Sequence, residues 1–438
     1  MIYEEPPINI KCVEDAISFI YKTSWKESKY DLSRITKLMK LLQNPQKKLK
    51  FIHIAGTNGK GSTSAMIASI FMEAGYKTGL YTSPYIHKLS ERIQINFNPI
   101  KDVELLELSN QLYKYISSMQ DAPTEFEIIT AIAFLYFYQN QCDIVILEVG
   151  MGGRLDATNI IDTPESAVIT SIGLDHTKEL GDTIEKIAAE KAGIIKSNGI
   201  VICCPQKDSV KKVIYKKCKN QNTKLYFVDN NIINPVKQSL DGQQFDYNGI
   251  KNLTISLLGQ HQLLNAASAI TTVNVLKNQG WNISEEALRS GLQKVSWPGR
   301  FEIMQNDPIF IVDGAHNPQG IQTTKKTLQS FFPNKKCIFI LGVLVEKNYQ
   351  EMIKIIAPLA NYFITVTPNN PTALPARNLA SYLKKVYYIN TIICKSIEHG
   401  LEVSLKIAGK DDVICAVGSL YMVGAIRNYF KSCKLLSF

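Results

Sequence analysis

Two hydrophobic rhythms alternate along the front part of the chain. Short, unbroken apolar runs occur at "LKFIHIA" (49–55), "CDIVILEVG" (142–150), "SAVITSIG" (166–173) and "GIVICC" (199–204). Their length and β-branched content are those of strands buried on both faces. Between them lie longer apolar-rich stretches, such as "STSAMIASIFMEAG" (62–75) and "EFEIITAIAFLYFYQN" (125–140), which predict helices. Such alternation predicts an α/β fold, a mostly parallel sheet wrapped by helices. Ligands of such sheets bind beyond the carboxyl ends of the strands. The chemistry-bearing residues stand there: a Gly-rich loop after 49–55, Glu148 ending 142–150, and Asp175-His176 just past 166–173.

A second α/β set follows "SWPGR" (296–300), with strands expected at 308–314, 336–342, 362–368 and 412–418 and a helix over 317–332. Trp297-Pro298-Gly299 is a helix-breaking triplet, so the domain boundary is placed near residue 298, giving domains 1–298 and 299–438. The stretch 224–258 is richer in Asn and Asp with alternating apolar positions, and reads as antiparallel strands appended to the first domain.

The chain's 438 residues agree with two domains. A net charge of +10 suits anionic small ligands. Its densest basic segment, "KKVIYKKCKNQNTK" (211–224), has helical apolar spacing at first and reads as a solvated face, so no nucleic-acid partner is expected. Nine scattered cysteines form no C-x-x-C, and Cys203-Cys204 are adjacent, which predicts reduced thiols. The start "MIYEEPPINIKC" lacks a signal peptide's basic and apolar parts, and no run of about eighteen apolar residues occurs. The expectation is a cytoplasmic protein with no membrane partner.

Within "GTNGKGS" (56–62), three glycines, Lys60 and a following helix start offer backbone amides and one cation to an oxyanion. A strict Walker pattern fails: Ile54 stands where its first Gly belongs, and Gly61 rather than Ser or Thr follows Lys60. A magnesium ion at such a loop would need hard oxygen donors from elsewhere. Glu148, at the tip of an apolar strand, is one candidate; simple solvation is the alternative. His176 in "GLDHTKELG" reads by itself as an ordinary loop histidine. "DGAHNP" places Asp313, His316 and Asn317 at the end of a second-domain strand, with Arg300 upstream: a carboxylate, an imidazole and an anion clamp, or else an Asx-type turn. In "GQHQLLNAASAI" (259–270) a helix begins, with Asn265 on its first turns.

Taken together, "HIAGTNGKGS", "TSPYI", "EVGMGGRLDATN", "GLDHTKELGDTIEKIAAEKAGI", "GQHQLLNAASAI", "WPGRFE", "DGAHNPQG" and "GSLYMVGAIR" occur in order across nearly the whole chain. This set resembles folylpolyglutamate synthase/dihydrofolate synthase, the folate branch of the Mur ligase superfamily. The resemblance implies a P-loop-containing Mur-ligase-like central domain, followed by a Rossmann-like α/β C-terminal domain that carries glutamate. It implies an ADP-forming ligase that activates a folate or pteroate carboxylate as an acyl phosphate for attack by L-glutamate, acting as a monomer on a reduced folate or dihydropteroate. ATP is then co-substrate, with Mg²⁺ at two sites and room for a monovalent cation.

Position by position, the resemblance gives Gly56, Thr57, Asn58, Gly59, Lys60, Gly61 and Ser62 to the ATP phosphates, and Asn265, Arg300 and Asp313 to other nucleotide contacts. Ser83, Glu148 and His176 match magnesium ligands. Lys191 matches a lysine that the family carbamylates for a second metal, a role nothing local in the sequence nominates. Thr124, Glu125 and Phe126, with Gly153, Arg154, Leu155 and Asp156, match pterin-side loops. His316 and Ser419 match glutamate-side residues, and Lys60, His316 and Lys191 are the catalytic set. Two segments depart from the pattern: Glu346-Lys347-Asn348 stands for D-K-D, and Asp31-Leu32-Ser33-Arg34 for the usual Gly-Leu before Arg. A cell-wall Mur ligase is the nearest alternative, which "GQHQLLN" and "GGRLDATN" oppose. A P-loop kinase or ATPase would want a hydroxyl right after Lys60 and leaves "DGAHNP" unexplained; a folate-binding protein without catalysis would not need every matched ligand.

Overall fold

The computed structural model describes residues 10–22 and 31–435. Most of the amino-terminal stretch read for a signal peptide lies outside them. By its internal contacts the chain divides into two compact units, the first Met1–Ile172, His176–Val228 and Ser268–Gly291, the second Gly173–Asp175, Asp229–Ala267 and Leu292–Phe438.

In chain order the strands of the first unit are β1 (Phe51–Ala55), β2 (Thr78–Tyr81), β3 (Ile93–Ile95), β4 (Asn98–Pro99), β5 (Ile144–Glu148), β6 (Ser166–Ile169), β7 (Ile200–Cys203) and β8 (Lys224–Phe227). They form one sheet in the order β4-β3-β2-β5-β1-β6-β7-β8. Pairing is parallel from β2 through β8, and β3 and β4 add an antiparallel edge. Strand β1 sits between β5 and β6, so the loop that follows it leaves the middle of the sheet's carboxyl edge. Ligand crevices form where strand order reverses in such sheets.

Central strands β1 and β5 are buried at every residue, which is why the sequence shows unbroken apolar runs and no alternation. Phe51, Tyr81, Val145 and Leu147 join one core with the helix Glu125–Gln139, while Ala55, Ala167, Ile169, Val201 and Cys203 join another. Thr124 caps that helix: its Oγ1 accepts from Glu127 N at 3.3 Å, and Glu127 Oε2 accepts from Thr124 N at 2.7 Å.

The second unit holds β9 (Asn234–Ser239), β10 (Gly242–Tyr247) and β11 (Ile250–Ile255), an antiparallel three-stranded sheet. It also holds β12 (Glu302–Asn306), β13 (Ile309–Val312), β14 (Cys337–Leu341), β15 (Ala360–Thr365), β16 (Thr391–Ile393) and β17 (Val413–Val417). These six form a sheet in the order β12-β13-β17-β14-β15-β16, parallel except for β12. Because β13 and β17 are neighbours, the loops after them meet: Gly418 N donates to Ala315 O at 2.9 Å.

One expectation is corrected. Residues 224–227 are not antiparallel; they are the parallel edge strand β8 beside β7. An exposed edge strand shows solvent-facing Tyr226 and Phe227, so its sequence mimics a half-buried hairpin. The antiparallel sheet that follows groups by contacts with the second unit. Cys12 is an exposed free thiol, and Cys142, Cys203, Cys204, Cys218, Cys337, Cys394 and Cys415 are buried free thiols; among the described residues no helix is long and apolar enough to cross a membrane.

Candidate functional site

In the first unit the Gly-rich loop is tied down by its own backbone. Thr57 N and Asn58 N both donate to Ser171 O, at 2.8 and 3.2 Å, which fastens the loop to the chain leaving β6. Gly56 lies so close to Thr170 that an added Cβ would sit 1.8 Å from its Oγ1. Gly59, at φ 88°, makes the turn that starts the helix Lys60–Glu73. That helix begins two residues earlier than the sequence pattern suggested, so the first amides it turns outward include those of Lys60 and Gly61. Helix-start amides lack intrahelical acceptors and suit an anion.

Lys60 folds back over the loop. Its Nζ donates to Gly56 O at 3.2 Å and Thr57 O at 3.5 Å, and lies 3.9 Å from Glu148 Oε1. Glu148 ends β5, is 4% exposed, and accepts from Ser83 N at 3.4 Å. Lys191, 5% exposed at the end of the helix Ile184–Lys191, donates to the same Gly56 carbonyl at 2.9 Å. Two ammonium groups and one carboxylate thus gather at the loop. His176 stands just before the short helix Thr177–Leu180 at φ 49°. The Glu148 carboxylate and Ser83 hydroxyl are hard oxygen donors of the kind magnesium takes, so the residues fit that ion. Among the described residues no three His, Cys, Asp or Glu side chains gather to hold a metal by themselves.

The loop after β5 is built on the same ground. Gly153 approaches the carbonyls of Glu190 and Lys191, Arg154 pairs with Glu190 at 2.9 Å, and buried Asp156 accepts from Met151 N at 2.9 Å. Burial raises the Asp156 pKa against the hydrogen bonds that lower it. Leu155 lies in the same turn. Phe126 lies against Gly150, where an added Cβ would meet its ring at 2.4 Å. Glu125 lies 3.8 Å from Arg92, whose guanidinium covers the Tyr85 ring at 5.3 Å. Burial raises the Glu125 pKa despite Arg92.

In the second unit the loop after β13 is made from side chains. Asp313 accepts from Thr324 Oγ1 at 2.7 Å and Ala315 N at 3.2 Å; burial raises its pKa, opposed by Thr324 and Arg300. His316 Nδ1 lies 2.8 Å from Gly314 O. Burial, with Lys347 nearby, pushes its pKa down to about 4. The ring is therefore neutral at pH 7, Nδ1 carries the proton, and Nε2 is an acceptor. Asp175 sits 3.9 Å from that Nε2, accepts from Asn317 Nδ2 at 3.1 Å and pairs with Lys347 at 2.8 Å. Ser419 caps the turn after β17, accepting from Tyr421 N at 3.2 Å. Asn265 donates to Gln262 at 2.9 Å, and Arg300 Nη1 to Gly299 O at 3.2 Å.

Residues 54–273 match the Mur ligase middle domain and residues 299–420 the Mur ligase glutamate ligase domain. The chain is 37% identical to the dihydrofolate synthase/folylpolyglutamate synthase of Bacillus subtilis, over 95% of this chain and 99% of that protein. It belongs to the Mur ligases, in their folate branch. Among solved structures, Mycobacterium tuberculosis folylpolyglutamate synthase complexed with ADP superposes with a TM-score of 0.88 at 28% identity, covering 95% of this chain and 98% of that one. A folylpolyglutamate synthase complexed with AMPPCP and folate gives 0.83 at 32% identity, covering 95% and 98%.

Within this Mur ligase, the sequence-predicted residues fall into separate neighbourhoods. Gly56–Ser62, Ser83, Glu148 and Lys191 come together around one loop, and Arg300, Asp313 and His316 around another. Two participants carry no mark in the sequence: Thr324 looks like an ordinary helix residue, and Ser171 contributes only its carbonyl. Lys347 is the lysine kept in the departing loop Glu346-Lys347-Asn348, which by itself carries no site expectation; the fold brings it to Asp175.

Proposed function

We propose that this Mur ligase joins L-glutamate to the carboxylate of a reduced folate or of dihydropteroate, with ATP converted to ADP and phosphate. A carboxylate is a poor electrophile until one oxygen becomes a phosphate leaving group. ATP first phosphorylates it; the amine of glutamate then attacks the acyl phosphate, and phosphate departs. The chain's work is positioning and charge stabilisation around the moving phosphoryl group.

Lys60 and the amides from Gly59 to Ser62 take the phosphates, with Lys60 set at the transferring one. Asn265, Arg300 and Asp313 hold the rest of the nucleotide. Ser83, Glu148 and His176 would hold magnesium, and Lys191, as its carbamate, a second ion. Bound there, magnesium would neutralise charge on the phosphates. Thr124, Glu125, Phe126 and Gly153–Asp156 receive the pterin side. His316 and Ser419 receive glutamate. A neutral His316 with a bare Nε2 can accept from the incoming amine, whereas a group with so low a pKa is a weak base. We place the boundary between the ATP-side and glutamate-side domains near residue 298.

The observation that carries this reading is the loop without a hydroxyl after Lys60, with the Glu148 carboxylate and Lys191 gathered around it. The test is phosphate release by purified protein, with dihydropteroate and tetrahydrofolate assayed in parallel. Release should require both glutamate and a pteroyl acceptor. ATP turnover with neither present would sink the ligase assignment.

A further inference from the structure

Strand β1 is buried at all five positions, yet its third residue is His53, fully buried between Ile52 and Ile54. Its Nε2 lies 2.8 Å from Thr158 Oγ1, and that hydroxyl lies 2.6 Å from Asp156 Oδ1. Asp156 receives two further donors, Thr158 N at 3.0 Å and Met151 N at 2.9 Å, so its oxygens act as acceptors throughout. A threonine hydroxyl has a single proton, and here it goes to Asp156. His53 must then donate from Nε2, which leaves Nδ1 a bare lone pair. Among the described residues, that Nδ1 is buried without a hydrogen-bond partner. An orphaned buried acceptor is destabilising, and an aliphatic residue would avoid the penalty. Among the described residues, the charged neighbour that bears on the ring is Lys196, whose Nζ is bonded to Asn159 O at 2.9 Å.

We propose that His53 is a positioning residue for the acceptor substrate: through Thr158 it fixes the Asp156 carboxylate in the orientation that meets the pteroyl group. The inference rests on the assignment of Asp156 to the pterin side. A reduced pterin presents amide and amine N–H groups; Asp156 Oδ2, which accepts from Met151 N, can accept one of them, and a carboxylate less firmly held at Oδ1 would lose part of that preorganisation. The same strand that delivers the phosphate loop at its end thereby also sets the acceptor loop.

The test compares His53→Leu, His53→Gln and Thr158→Val by steady-state kinetics and by calorimetric binding of dihydropteroate and tetrahydrofolate. His53→Leu and Thr158→Val should each weaken the acceptor about tenfold, with the KM for ATP and saturated kcat unchanged. The double variant should be no worse than either single one, and His53→Gln, which keeps an N–H donor, should recover most of the loss. Equal losses toward ATP and acceptor, or no loss in Thr158→Val, would overturn the proposal. Nitrogen-15 NMR of the wild-type protein gives a check that no variant's folding can spoil. Nε2 should be protonated and Nδ1 bare, and the opposite tautomer would refute the chain of bonds. A wild type that binds neither pteroyl compound would instead strike at the functional assignment, and does so without any variant.

Discussion

The loops that follow β1 and β13 leave corresponding edges of two parallel sheets and are built from opposite materials. The first is backbone: glycines at 56 and 59, amides bound to a carbonyl, and two lysines drawn onto the oxygen of Gly56. The second is side chains: Asp313 held by Thr324, His316 held by Gly314, and Asp175 shared among Asn317, Lys347 and the edge of His316. A backbone cradle requires special residues in one contiguous stretch. A side-chain network asks only that separate elements arrive together. The first therefore announces itself as a motif, and the second stays hidden until the fold is known.

The largest expected effect tests how far the cradle depends on the Lys60 cation. Lys60→Ala should lower glutamate-dependent phosphate release by at least about a thousandfold, because it removes the charge set at the transferring phosphoryl. Lys60 Nζ stands 3.9 Å from the buried Glu148 carboxylate, a looser pair than a direct hydrogen bond, so the thermal midpoint should move far less than the rate. Retention of a tenth of the activity or more would mean that the amides suffice, and the contrast with the second loop would then be sharper still.

How much was legible follows the same division. The runs at 49–55, 142–150, 336–342 and 412–418 were readable as strands because both their faces are covered, and β1, β5, β14 and β17 lie within them. β2 and β16 escaped notice because four and three residues carry too little pattern. Edge strand β8 reads as part of a hairpin because its short run 225–228 starts from a lysine and passes straight into an Asn- and Asp-rich stretch, while its exposure at the sheet edge leaves no doubly buried pattern. "GTNGKGS" was readable in full, although not the fact that Thr57 and Asn58 spend their amides on Ser171. Asp175 and Lys347 are 172 residues apart, and His53 and Thr158 are 105 apart. Nothing in either neighbourhood names the partner. Lys191 could be nominated only through family resemblance, since a lysine ending a helix is ordinarily solvated.

Removing one partner of the network should weigh on stability, where removing Lys60 weighs on rate. Lys347 and Asp175 are 9% and 11% exposed and 2.8 Å apart. Lys347→Met leaves the Asp175 carboxylate buried without that partner, a change of about 3 kcal/mol for pairs of this kind. Urea unfolding should show the loss, and Lys347→Met combined with Asp175→Leu should recover most of it, as expected for directly coupled groups. A double variant as unstable as the sum of the two single ones would show that the two charges act separately.

The smallest effect is a difference in pH dependence between the histidines of the two regions. Burial, aided by Lys196, pushes the His53 pKa down to about 3, against about 6.5 in an unfolded chain. As pH falls below about 6.5 the unfolded state takes up a proton that the folded state refuses. Stability is therefore complete at neutral pH and declines on acidification, by up to about 1.4 kcal/mol per pH unit from this residue. Urea midpoints of the wild type and His53→Gln, followed from pH 7 to 5, should diverge by that slope, the variant falling less steeply. His316, also lowered to about 4 but 31% exposed, should give a shallower version of the same divergence in His316→Gln. Equal slopes for wild type and His53→Gln would mean that the folded protein protonates His53, and the neutral histidine beneath the acceptor loop would have to be abandoned.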